Sequence, residues 1–222
     1  MAKRTPENDR RRLIEEQRKK ARAQERRKTV ATIVICTVLG ALLIGASVYF
    51  GTKGGGKGDS NLAMRDVGLA SEAAACSPVK EEEVTGESTH VSEPVQYNPA
   101  PPTSGSHNPT WLPVGRKRFY SRDDNPMPEM AVHNLEHAYV VVWYDSRATD
   151  EQLDRLRDAA DAAKAKFLVV PWTRGDFTGE KHIVLTAWGF RQECSDVSGA
   201  VIDDFIKAHG GQAGKAPEKN AL

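Results

Sequence analysis

Three cysteines in 222 residues are too few for a disulfide-dense scaffold, and no two of them form a C-x-x-C pair. That absence argues against a thioredoxin-type redox motif. Hydrophobic residues make up only 39% of the chain and the mean hydropathy is −0.53, which excludes a polytopic membrane protein. No G-x-S-x-G elbow is present, so the serines near His107 (Ser104 and Ser106) have little support as hydrolase nucleophiles. No repeat shows at a 20–50 residue period. The chain also has almost no net charge, +1 from 31 Lys+Arg and 30 Asp+Glu. Evenly spread, such a balance would exclude a nucleic-acid binder.

The charge is not evenly spread. Residues 1–28 carry 12 Lys/Arg and five Asp/Glu, a net +7, so the remainder is −6. Val30 to Phe50 follows as 21 uncharged residues. At 1.5 Å per residue these make about 31 Å of helix, enough to cross a hydrocarbon core. Tyr49 and Phe50 stand where an interfacial aromatic belt belongs. The basic flank is N-terminal, so the positive-inside rule places residues 1–28 in the cytoplasm and the rest outside. A cleaved signal peptide is the competing reading; the apolar run is long for one, and no small-x-small site ends it. The basic tail reads as a topogenic segment rather than a nucleic-acid contact, because Leu13 and Ile14 are its only large apolar residues.

The expected organisation is a basic cytoplasmic tail (1–28), a transmembrane signal anchor (29–50), a flexible linker (51–75), an extracytoplasmic domain (76–218) and a short tail (219–222). Cys36 falls in the apolar run. Cys76 and Cys194 fall in the exported part, where a disulfide persists. A bridge between them closes a loop of about 118 residues and stabilises by about 4–5 kcal/mol in the chain-entropy model. Two free thiols or a metal site are the alternatives.

Ala138–Tyr144, Phe167–Trp172 and Ile183–Trp188 read as buried strands. Thr149–Ala165 reads as a helix, with Thr149 and Gln152 forming a capping box. Asp196–His209 reads as a second helix, stopped by Gly210 and Gly211. The order strand–helix–strand–strand–helix predicts an α+β domain: a short mixed sheet covered by helices.

The densest reactive cluster runs from Met127 to His137. On a helix His133 and His137 share a face about 6 Å apart and can share an ion; on a strand they lie about 13 Å apart and cannot. Asn125 as cap and Pro126 at the first turn favour a short helix. Met130, His133 and His137 then fall within about 60° on the wheel. Thioether plus imidazole suits copper, Cu(I) above all, or another divalent metal, and His107 in its proline-rich loop can supply a third imidazole. The expected metal set is therefore His107, Met130, His133 and His137. The alternative is structural: histidines fastening the Ser104–Trp111 loop, with Asn134 and Glu136 as partners. The string also fits H-x-x-E-H, the inverted zinc-peptidase motif, with Glu136 as base, but such peptidases need domains this chain lacks. No base–nucleophile pair is legible, which argues against an enzyme. His90, His182 and His209 have no clustered partners in the sequence and read as surface or strand-edge residues. Trp111, Trp143, Trp172 and Trp188 read as core or interface.

Several motifs together carry a family resemblance. They are Pro101-Pro102-Thr103-Ser104-Gly105-Ser106-His107, His133-Asn134-Leu135-Glu136-His137, the strand ending at Tyr144, Thr186-Ala187-Trp188-Gly189, Cys194 and Ala216-Pro217-Glu218. The chain thereby resembles the actinobacterial membrane-anchored proteins of the domain of unknown function 3105 family, over roughly Cys76 to Glu218. The family pattern usually has Gly where Ala138 stands. The resemblance implies an N-terminal anchor and an exported domain, and no reaction. Two functions follow as expectations. One is an anchored metal-binding protein. The other is an accessory or assembly subunit of a membrane complex, respiratory for example, with architectural histidines.

Overall fold

Val140–Tyr144 is a continuous apolar run, and it forms an interior strand of a five-stranded sheet. The computed structural model describes residues 63–221, apart from 87, 88 and 116. The expected basic tail, the apolar run Val30–Phe50 and Cys36 lie outside the described residues. Among the described residues no helix is long and apolar enough to cross a membrane.

The elements in chain order are β1 (Lys80–Glu81), α1 (Pro128–Glu136), β2 (Val140–Tyr144), α2 (Asp150–Ala162), β3 (Phe167–Pro171), β4 (Ile183–Ala187), β5 (Phe190–Cys194) and α3 (Gly199–His209). The sheet order is β1-β5-β4-β2-β3. β2 and β3 are parallel across α2; the other pairings are antiparallel. The domain is thus α+β with a mixed sheet, as the sequence predicts. β5 is an addition to that reading. Its sequence, FRQEC, alternates poorly and is only partly buried, so it carries no strand signal of its own. Gly189, at φ +76°, sits in the tight turn that folds β5 back on β4, with Ala187 opposite Phe190.

Strand side chains alternate between faces, and the core divides accordingly. Val140, Val142, Tyr144, Phe167, Val169, Ile183 and Leu185 face α2 and α3, against Leu156, Ala159, Ile202 and Phe205. Val141, Trp143, Leu168, Val170 and Val184 face the other way, against Ala131, Val132 and Leu135 of α1, with Trp172 and Trp188. The sheet therefore lies between two layers, and α1 carries the reactive cluster on the second face.

Both capped helices begin where the sequence places them, or close to it. Thr149 accepts from the Gln152 amide and Gln152 returns the bond, the expected capping box. Ser198 caps α3 three residues later than expected. The start of α1 differs more. Pro128, not Pro126, occupies the first turn, and Met127 precedes it as N-cap without a side-chain bond. Asn125 instead has φ +43° and ends the 3-10 turn Arg122–Asp124. Two prolines two residues apart both suit a first turn, and the preceding turn decides between them.

α1 ends in a Schellman motif. The Tyr139 amide bonds the Asn134 carbonyl at 3.0 Å, and the Ala138 amide bonds the Leu135 carbonyl at 2.9 Å. Ala138 takes a left-handed φ of +66°, a region that glycine enters freely and alanine rarely. Its methyl is buried in the second core, which offsets part of the backbone cost.

Cys76 and Cys194 form a disulfide, S–S 2.03 Å. It ties the start of the domain to the end of β5. Residues ahead of it, expected in the linker, also pack on the fold: Val67 and Ala74 are buried, and the Gly199 amide bonds the Val67 carbonyl at 2.8 Å.

Candidate metal centre

Helix α1 presents His133 and Glu136 inward, and two loop segments meet them. Glu136 and His107 are wholly buried, and His133 is 4% exposed. His107 arrives on the proline-rich loop. That loop is held by a reciprocal amide pair: Asn134 Oδ1 accepts from the Leu112 N–H at 2.9 Å, and its Nδ2 donates to the Leu112 carbonyl at 3.2 Å. At the other end of α1, the buried Glu129 accepts the Val95 amide and both Arg174 contacts at 2.7–2.9 Å. The Asn108 amide bonds the Glu129 carbonyl.

The second segment is 89–91. It lies parallel to His107, with the Val91 amide on the His107 carbonyl at 2.8 Å and the His107 amide on the Thr89 carbonyl at 2.9 Å. Gly86 makes this approach possible: a Cβ there would lie 2.5 Å from the Ser106 nitrogen. The bridge places the exposed His90 ring 5.1 Å from His133, stacked, and 4.9 Å from His107, edge-on. His90, read from sequence as a residue without clustered partners, is thus a member of the cluster. A parallel bridge across 17 residues has no local spacing signature, so sequence periodicity could not find it.

His90, His107, His133 and Glu136 each bring one donor atom within 4.8 Å of all the others. The tautomers follow from the outer contacts. His107 Nδ1–H donates to the Gly105 carbonyl at 2.8 Å, and His133 Nδ1–H donates to the Asn108 carbonyl at 2.7 Å. Both Nε2 atoms then point inward with lone pairs. Burial pushes His133 below the ordinary imidazole range; the Asn108 carbonyl opposes this, and His137, His107 and His90 add to the lowering. His133 is therefore neutral at pH 7, the form a metal ligand takes. His107 Nε2 lies 2.8 Å from Glu136 Oε2. Two acceptors at that distance need a proton or a cation between them.

The other expected site residues have distinct places. His137 caps α1, with its Nε2 3.1 Å from His133 Nε2 and 3.0 Å from Glu218 Oε2. Met130 is half-buried and packs against the second core. Ser104 Oγ accepts the Thr85 amide at 3.1 Å, while the two His107 nitrogens face Gly105 and Glu136. Trp111 is 39% exposed, with its ring about 5 Å from those of His133 and His137. The peptidase reading pairs His133 with His137 around Glu136 as base. Here Glu136 sits among the donors, wholly buried.

No curated protein and no solved structure matches the chain. A family described as "Protein of unknown function (DUF3105)" matches residues 90–222, a stretch that opens on His90 and holds every donor of the cluster. The chain belongs to that family.

Proposed function

We propose that this is a metal-binding protein whose domain holds a divalent transition-metal ion through His90, His107, His133 and Glu136. The observation that carries the reading is the orientation of His107 and His133. Each fixes its Nδ1–H on a backbone carbonyl and turns Nε2 toward the same point. Metal-binding histidines are held in this way, and the outer bond sets both tautomer and ring angle. Imidazoles with a carboxylate suit Cu(II) or Zn(II). Met130, which would draw the set toward Cu(I), packs elsewhere.

The ion replaces the proton or cation that the His107–Glu136 contact requires. The uncharged run Val30–Phe50 behind a +7 segment supports a single-pass anchor with the domain on the extracytoplasmic side. Equilibrium dialysis of the detergent-purified full chain against Cu(II) and Zn(II) tests the reading. The expected result is one ion per chain, and a loss of affinity of at least about 100-fold in His133→Ala or Glu136→Gln, since even outer-shell changes cost about 10–100-fold. Absence of binding by the unaltered chain overturns it.

A second reading has its own support. The His133 Nδ1 bond to the Asn108 carbonyl, with the Asn134–Leu112 pair, fastens the loop to α1, so His133 also serves as a fixing for an accessory subunit of a membrane complex. Mild-detergent co-purification separates the two: a partner retained by a chain without metal favours the subunit.

A further inference from the structure

We propose that this centre passes its ion on: the ion leaves by ligand exchange at His90, to the imidazole of an acceptor, while the other three donors stay in place. The inference rests on the metal-centre reading above and deepens it from holding an ion to transferring one. The four donors are of two kinds. His107, His133 and Glu136 are buried, and His90 is exposed. The His107 and His133 rings are pinned by Nδ1–H bonds to carbonyls at 2.8 and 2.7 Å. The Asn134–Leu112 amide pair holds their two supports together. Drawing any of these three donors away from an ion breaks buried hydrogen bonds and core packing, which amounts to local unfolding.

His90 is placed differently. Its ring rests on two other rings, stacked on His133 and edge-on to His107. Thr89, Ser92, Glu93 and Pro94 beside it are exposed as well. Once its bond to an ion opens, a χ1 rotation carries the ring into water on the ps–ns scale of surface side chains. The backbone need not move: the two bonds between 89–91 and His107, at 2.8 and 2.9 Å, stay intact. Access points the same way. A foreign donor reaches an ion only where solvent does, and His90 is the one exposed member of the set. The step is a substitution without change of oxidation state. One metal–nitrogen bond breaks, His90 keeps its lone pair, and the acceptor's lone pair forms the new bond. An imidazole replaces an imidazole, so the donor set still suits copper or zinc. His107, His133 and Glu136 remain as three protein ligands with one exchangeable position, unlike the closed four-ligand structural sites.

The test is stopped-flow absorbance of the Cu(II)-loaded full chain mixed with excess free L-histidine, which takes the ion and shifts the copper band. The transfer rate is expected to rise in proportion to histidine concentration, because the acceptor binds before the ion leaves. His90→Ala is expected to release copper about 10–100-fold faster. Disturbing a metal's support costs about that much affinity, and affinity losses fall mainly on the off-rate. A rate independent of histidine concentration overturns the proposal, since the ion then waits for the fold to open. So does a His90→Ala chain that binds copper and releases it at the unaltered rate. Should that variant not fold, the concentration dependence of the unaltered chain decides alone. Failure of the unaltered chain to take up Cu(II) in dialysis is a different result: it removes the metal centre itself, and this inference with it.

Discussion

Asn134 fastens the loop to α1 with two bonds from one side chain, both wholly out of water. Asn134→Ala leaves the Leu112 N–H and carbonyl without those partners. It is expected to cost about 2–4 kcal/mol in urea unfolding, since each stranded buried polar group costs about 1–3 kcal/mol. The same variant is expected to weaken metal binding by about 10–100-fold, because the loop it releases carries His107. Local spacing was enough to single out His107, His133 and His137, and to name Asn134 and Glu136 as their partners. It was not enough to rank Glu136 above Met130. Both lie near His133 on the wheel, and only the buried His107 contact distinguishes them. His90 has no local signature, because its neighbour is 17 residues away and joined through the backbone.

At the scale of elements, the strongly periodic ones were legible. β2, β3 and β4 are apolar runs, and α2 announces its own start through Thr149 and Gln152. β1 and β5 were not, because two residues and a half-exposed polar string carry no period. Where α3 meets β5, His209 packs its ring on Phe190 at 4.1 Å and Phe205 at 5.0 Å. Burial pushes this histidine below the ordinary imidazole range; Glu81 opposes the shift and Lys215 adds to it. The unfolded chain takes up a proton near pH 6.5, before the folded one does. The stability that His209 contributes is therefore complete above about pH 6.5 and is lost as pH falls from there through its lower folded value. Urea midpoints at pH 7.5 and 5.5 check this. His209→Gln is expected to lose less stability over that interval than the unaltered chain.

For the whole molecule, the disulfide is the longest covalent constraint, joining residues 118 apart. Its reduction is expected to lower unfolding stability by about 4–5 kcal/mol, read as a shift of the urea midpoint with and without reductant. A bond of this kind agrees with an exported domain, as does the division of a +1 chain into a +7 segment and a −6 remainder on either side of Val30–Phe50. The proposed metal centre depends on the same global arrangement. α1 supplies two donors, the proline-rich loop one and the segment 89–91 the fourth, and the C-terminal segment closes against the end of α1.

Anomalous scattering from crystals of the protein grown with Zn(II) tests the central claim most directly. The account predicts one peak, about 2.0–2.2 Å from nitrogen atoms of His90, His107 and His133 and from a Glu136 oxygen. A structure with no peak there, and with His107 still hydrogen-bonded to Glu136 at saturating zinc, would contradict it.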